Sequence, residues 1–244
     1  MKKKIAIIVQ ARFGSKRLPG KISKKLNGKS LLYRIVQRLI KSKLADKIIV
    51  VMPDKSKERN ISKSITFKKV NFFFGPENNV LRRYYLACIK YNIDTIVRFP
   101  GDNAIPDPEE IDRIISFYCK FKKPFFASNI QNFYNNNYPD GIGAEVFSFK
   151  HISELVKKNL SKKYKEHVHL NFFDYKKQKV MNSRWCKVRT IKCPQKKSFK
   201  NARLDINYNK DYEFIKNIYD NLYSDKKMFT TQDVFKFLKL KKRK

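Results

Sequence analysis

Histidine, cysteine, glycine and acidic side chains are all scarce in this sequence: 3 His, 4 Cys, 7 Gly and 21 Asp plus Glu in 244 residues. Cys88, Cys119, Cys186 and Cys193 form no C-x-x-C pair, and His151, His167 and His169 are not spaced with them, which excludes the common zinc frameworks. Cys88 and Cys119 fall among apolar residues at helical spacing and read as core fillers. The glycine content is far below that of collagen-like or linker-rich chains. No G-x-G-x-x-G occurs, and the one stretch that approaches a Walker A loop fails its register. Gly14 and Gly20 are separated by one residue too many, and Lys21 is followed by Ile22 instead of a hydroxyl. No apolar run approaches the roughly 20 residues of a membrane span. The N-terminal "IAIIV" is also shorter than the roughly 7–15 residues of a secretory h-region. These absences lead to the expectation of a cytoplasmic protein without membrane insertion.

Against the 21 acids stand 56 Lys plus Arg, a formal net charge of +35. The lysines are spread along the whole chain and accompany abundant Ile, Asn, Phe and Tyr, a pattern that fits a coding bias toward AT-rich codons. A charge count alone is weak ground for polyanion binding. A basic nucleic-acid-binding protein is the alternative from another class, but no helix-turn-helix or RNP-type strand supports it, so nucleic acid is not the expected partner. The C-terminal "LKLKKRK" reads as a basic, frayed tail.

What is present points to a packed fold: 42% hydrophobic and 14% aromatic residues supply a core. The runs "KKIAIIVQ", "DKIIVVMP" (46–53), "VNFFFGP" (70–76) and "DTIVRFPGD" (94–102) read as strands. Helical spacing separates them in "SLLYRIVQRLIKSK" (30–43, Ser30 as N-cap) and "NVLRRYYLACIKYN" (79–92). A further helix follows Pro108, with acids in its first turn. This alternation predicts an α/β fold with a mainly parallel sheet and helices on both faces. The second half is less regular: a turn-rich Asn segment at 129–141, a strand in "AEVFSF", helix over 150–175, strands at 184–192 and 201–206, and helices at 210–223 and 231–240. There is no internal repeat and no clear linker, so 1–244 is expected to form one domain.

Ligands of such sheets lie beyond the carboxyl ends of the strands. Two unusual segments follow strands and share that rim. "VQARFGSKRLPGKI" (9–22) is a long loop in which Arg12, Lys16, Arg17 and Lys21 can neutralise a polyphosphate, arginine by bidentate contacts and lysine as a point charge. "RFPGDNAIPD" sets Asp102 at the end of a buried strand. A carboxylate facing a basic loop suits a cation or an ion pair, and Mg²⁺ takes one or two carboxylates with phosphate oxygens and water. Asp205, in "NARLDINYNKDYEF", is a second such carboxylate. Composition alone leaves open an ordinary solvated basic loop and a turn-forming Gly-Asp.

The stretch "VQARFGSKRLPGK" resembles the N-terminal signature of cytidylyltransferases that activate acidic sugars, namely acylneuraminate and 3-deoxy-manno-octulosonate (KDO) cytidylyltransferases. It is nearest to the branch named after the spore-coat polysaccharide protein SpsF. "GPENNVLRRYYLA" (75–87), "VRFPGDNAIPDPEEID" (97–112), "YPDGIGAEVFSF" (138–149), "KEHVHLNFF" (165–173) and "ARLDINYNKDYEFIKNIYDNL" (202–222) follow in the family's order. The resemblance implies a three-layer α/β/α, Rossmann-like nucleotidyltransferase sandwich. It also implies Mg²⁺-dependent transfer of CMP from CTP to an acidic sugar with release of pyrophosphate, for cell-surface polysaccharide or lipopolysaccharide synthesis. A homodimer is implied as well, with residues 124–195 contributing to acceptor site and dimer contact.

By motif position, Arg12, Lys21 and Asp102 would be catalytic. Ala11, Arg12, Gly14, Ser15, Lys21, Arg83 and Asp102 would bind the nucleotide, Tyr138, Asp140 and His167 the acceptor, and Asp102 and Asp205 the metal. The pattern departs from KDO enzymes at Pro100, where they carry Gln, and at Asn103, where they carry an acid. Alternatives within the same fold are another nucleotide, another acceptor or glycosyl transfer.

Overall fold

The computed structural model describes residues 3–131, 133–182, 184–199 and 202–241. In chain order the elements are β1 (Ile5–Gln10), β2 (Lys25–Leu26), β3 (Lys29–Ser30), α1 (Leu31–Leu39), β4 (Lys47–Pro53), α2 (Ser56–Lys63), β5 (Val70–Gly75), α3 (Val80–Tyr91), β6 (Thr95–Pro100) and α4 (Pro108–Cys119). The second half adds β7 (Phe126–Ser128), β8 (Glu145–Ser148), α5 (Phe149–Leu155), α6 (Lys162–Glu166), β9 (Phe173–Asp174), β10 (Lys179–Val180), β11 (Val188–Thr190), α7 (Asn209–Leu222) and α8 (Thr231–Lys241).

Seven strands form one sheet in the order β11-β7-β8-β6-β1-β4-β5. β1 pairs in parallel with β4 and β6, and only β8 runs antiparallel to its neighbours. Both faces are covered because the strands are apolar on both sides. Ile5, Ile7 and Val9 of β1 enter a core with residues of α1, α4, α7 and α8, whereas Ala6 and Ile8 enter a second core with residues of α3 and α5. This is the three-layer α/β/α sandwich that the strand–helix alternation predicts. Helix starts follow the expected chemistry. Ser30 accepts the Tyr33 N–H at 3.2 Å, and Asp107 accepts the N–H groups of Glu109 and Glu110 ahead of Pro108 at the first helical position. Among the described residues no helix is long and apolar enough to cross a membrane.

Three expectations change. Residues 150–175 are not one helix: α5 and α6 are separate, and a 3-10 turn (Val168–Asn171) leads into the β9–β10 ribbon. The break lets Phe172 stack on Phe126 and Phe147, with ring centroids 4.8 and 4.9 Å away, a burial that a straight surface helix could not deliver. The strand expected at 184–192 shortens to β11. The strand expected at 201–206 survives only as single bridges, Asp140 with Arg203 and Asn103 with Asp205, so that segment crosses the strand ends instead of joining the sheet. Its first residue, Asn201, lies outside the described residues, as do 242–244 of the basic tail.

Candidate active site

The rim at the carboxyl ends of β1 and β6 is built on a close backbone approach. Gly101 N–H donates to the Gln10 carbonyl at 2.9 Å, and a Cβ at Gly101 would stand 2.5 Å from that oxygen. Only glycine lets the β6 loop lie against the end of β1, which is what brings Asp102 to the basic loop. That loop closes on itself: the Phe13 carbonyl accepts N–H groups from Ser15 and Gly20, and Gly20 sits at φ 67°. The Ser15 hydroxyl accepts from Leu18 N–H at 3.4 Å, and the buried Glu58 accepts from Phe13 N–H at 3.0 Å. Gly14 borders open space, so the fold itself does not require glycine there. Ala11 is buried at the base of the loop, bonded through its N–H to Val51.

Lys21 closes the loop onto the neighbouring β6 loop. Its Nζ lies 2.8 Å from Asp102 Oδ2 and 2.9 Å from the Ile206 carbonyl. The same segment is tied by Ile206 N–H to the Asp102 carbonyl at 2.8 Å. Asp205 is nearly buried. Asn207 Nδ2 and, at 3.4 Å, Arg203 hold its Oδ2, while its Oδ1 is buried without a partner. Asp140 lies against this strip through the Leu204 N–H to Asp140 carbonyl bond at 3.1 Å. Burial first, then the negative charge of Asp205, push the Asp140 carboxyl up to about 6. Among the described residues no group of three or more His, Cys, Asp or Glu side chains is arranged to hold a metal unaided. Two carboxylates, one with a bare buried oxygen, fit a Mg²⁺ ion that takes the rest of its shell from phosphate and water.

On the β4–β5 side Arg83 enters from α3. Gly75 makes room for it, since a Cβ there would stand 3.2 Å from Arg83 Cγ. The guanidinium is buried, and its Nε and Nη1 have no hydrogen-bond partner. Burial lowers it to about 10, and the nearby Arg12 adds to that. A buried cation with bare donors is unstable by itself and is suited to an anionic ligand. Arg12 extends across the mouth to Glu166 of α6 at 3.1 Å. His167, next to that glutamate, is exposed; partial burial lowers its pKa, Glu166 opposes the shift, and Arg98 and Arg12 add to it.

Over residues 6–238 the chain matches the sequence profile of the Cytidylyltransferase family. This chain belongs to the cytidylyltransferase family. It is therefore a nucleotidyltransferase, an enzyme. The segment similar to Methanocaldococcus jannaschii protein MJ1063 is 36% identical over 165 residues, covering 68% of this chain and 65% of that relative's length. The spore coat polysaccharide biosynthesis protein SpsF of Bacillus subtilis is 29% identical over 220 residues, 88% of this chain and 86% of SpsF. The 3-deoxy-manno-octulosonate cytidylyltransferase of Chloroherpeton thalassium is 32% identical over 46% of this chain and 45% of its own length. Among solved structures, a cytidylyltransferase from Leptospira borgpetersenii superposes with a TM-score of 0.84 at 25% identity, covering 99% of this chain and 96% of that one. A CMP-KDO synthetase complexed with CTP shares the fold, with a TM-score of 0.64 at 14% identity over 89% of this chain and 99% of its own.

Within this cytidylyltransferase, most of the residues singled out from sequence gather at one rim: Ala11, Arg12, Gly14, Ser15 and Lys21 in the β1 loop, Asp102 opposite, and Asp140 and Asp205 beside it. Arg83 and His167 flank that rim. Tyr138 departs from its expected acceptor role. It is buried in the α4 core, its hydroxyl donates to Glu110, and Arg113 donates to it. A large aromatic beside a turn is drawn to the core once its hydroxyl finds partners there.

Sequence reasoning passed over Arg98 and Glu145, adjacent in the β6–β8 register and paired at 2.5 Å, with Glu145 also accepting from the Tyr175 hydroxyl at 2.7 Å. The signal was available as a charge inside an apolar strand, "VRF". Glu58, Glu166 and Asn207 carried no such signal, because each is an ordinary surface-type residue until the fold turns it inward.

Proposed function

We propose that this cytidylyltransferase transfers CMP from CTP to an acidic sugar of the KDO or nonulosonate type, with Mg²⁺, and releases pyrophosphate, for cell-surface polysaccharide synthesis in the cytoplasm. The observation that carries the reading is the facing of Lys21 and Asp102 across the rim, with the bare Oδ1 of Asp205 nearby. In this reading the acceptor hydroxyl oxygen attacks the α-phosphorus, the bond from that phosphorus to the oxygen bridging to the β-phosphate breaks so that pyrophosphate leaves with that oxygen, and the hydroxyl proton passes to solvent water. Lys21, Arg12 and the bare edge of Arg83 offset the negative charge that grows on the phosphates, and the loop's closed backbone fixes their positions in advance. Asp102 and Asp205 would hold the Mg²⁺, whose contribution is to neutralise charge at the reacting phosphate. His167 and Asp140 border the acceptor side. The names of SpsF and of the KDO enzymes support a sugar acceptor, and the resemblance of the whole chain supports a homodimer through residues 124–195, which sedimentation of the pure protein tests.

The deciding experiment is pyrophosphate release from each ribonucleoside triphosphate with Mg²⁺ and a panel of KDO, sialic, legionaminic and pseudaminic acids. CTP-selective release with one acid is expected. Thermal protection by CTP without release with any acid would keep the nucleotide site and turn the search to other acceptors. Neither release nor protection would overturn the reading.

A further inference from the structure

Six strands of the sheet run in one direction, β1, β4, β5, β6, β7 and β11. Their entry loops therefore gather at the end opposite the catalytic rim. Each of the six is entered past an exposed lysine: Lys3, Lys43, Lys68, Lys90, Lys123 and Lys187 in turn. Among the described residues none of these six is in an ion pair. The acids of the same loops are engaged with backbone, Asp94 accepting from Lys4 N–H and Asp46 from Ile5 N–H, both at 2.8 Å. The six lysines outnumber the carboxylates that reach this end, Asp46, Asp94 and Asp112, so the end keeps a net positive charge.

Large apolar side chains stand out at this end, Ile89 and Phe121 beside its lysines and Leu44 at a hollow of mixed charge shared with Glu109, Asp112 and Lys196. Leu44, Ile89 and Phe121 are 41, 54 and 36% exposed, and each adjoins a lysine in the chain. Phe121 borders a shallow hollow of about 340 Å³ lined also by Lys122, Pro124, Phe125 and Arg189. The Arg189 guanidinium covers its ring at 4.2 Å. Two of the three exposed side chains are aliphatic. A single-stranded nucleic acid calls for aromatic platforms on which bases stack. A bilayer interface instead takes any apolar wedge together with surrounding cations.

We propose that this end of the molecule docks on an anionic phospholipid surface, with the catalytic rim directed away from the bilayer. The cations supply long-range attraction to the headgroups, and Ile89 and Phe121 enter the interface between them. Such contact is peripheral and reversible, and it weakens as salt screens the headgroup charge.

The test is co-sedimentation of the full chain with vesicles of phosphatidylcholine alone or with one-third phosphatidylglycerol. Binding to the anionic vesicles only is expected, falling with added salt. The pair Ile89→Glu/Phe121→Glu is expected to lower the partition by about tenfold or more. The charge-matched pair Phe214→Glu/Leu240→Glu, at exposed positions on α7 and α8, is expected to retain most of it. Ile89→Glu alone against Phe214→Glu alone carries the same charge-matched comparison if the Phe121 substitution disturbs folding. No binding to anionic vesicles overturns the proposal. Equal loss in both pairs overturns it by assigning the effect to bulk charge. Binding of single-stranded DNA that responds to the Ile89/Phe121 pair, without vesicle binding, overturns it in favour of nucleic acid.

Discussion

Replacing Lys21 by methionine keeps the unbranched stem and removes the ammonium. The side chain is 12% exposed and its partner Asp102 30% exposed, so the lost pair lies between a surface bridge and a buried one. Surface bridges contribute about 0–1 kcal/mol, and breaking a buried pair costs about 3–5 kcal/mol. The partial exposure of Asp102 lets water take over part of its solvation, and about 1–2 kcal/mol is the expected loss of stability. For a chain of this size that lowers Tm by about 2–4 °C per kcal/mol. The effect on turnover is expected to be larger, about 10²–10³-fold in kcat, the usual cost of removing one preorganised charge contact to a transition state. The two readouts separate the roles: Tm reports the bridge, and pyrophosphate release at saturating CTP reports the charge on the phosphates. A loss in kcat below tenfold with the expected fall in Tm would show that Lys21 is only a brace between the two loops, and would refute its catalytic placement.

Arg83→Met removes a buried cation whose Nε and Nη1 are bare. The free protein is expected to hold its stability or gain up to about 2 kcal/mol, while thermal protection by CTP falls sharply; a loss of stability with protection intact would contradict the anion role. Gly101→Ala forces a Cβ to 2.5 Å from the Gln10 carbonyl. It should cost about 2 kcal/mol or more by chemical denaturation and abolish turnover, and wild-type behaviour would mean that the two loops need not touch. The Asp140 carboxyl, held up at about 6 by burial and by Asp205, with Arg203 opposing and Asp102 adding, favours the protonated native state. Its contribution is complete below the unfolded value near 4 and is lost as pH rises through about 6. In chelator-treated protein, Asp140→Asn should therefore gain stability over wild type between pH 4 and 6, by about 2–3 kcal/mol at the upper end, and hold a constant lead above it; a pH-independent difference would refute the raised value.

The strands β1, β4, β5 and β6 and helices α1, α3, α4, α7 and α8 were legible because each repeats its apolar residues at the period of its own backbone. The "GD" of 101–102 and the loop 9–22 stood out as charge at strand ends, and it was the family motif, not the period, that marked them as a nucleotide site. The helix expected across 150–175 failed because period describes a face and not a destination: Phe172 had to reach Phe126 and Phe147, and the backbone broke to allow it.

The sequence by itself determined the order of elements, the parallel sheet and the basic loop that meets Asp102, since local pattern and a long family motif suffice for these. Only the tertiary structure decided that Arg83 lies bare beneath the rim, that Asp140 and Asp205 share one environment, that Tyr138 turns to the core and that Arg98 is matched by Glu145. Each of those outcomes joins residues many positions apart or sets a charge against a low-dielectric interior. Such pairings are fixed by sheet order and register, which no local window contains.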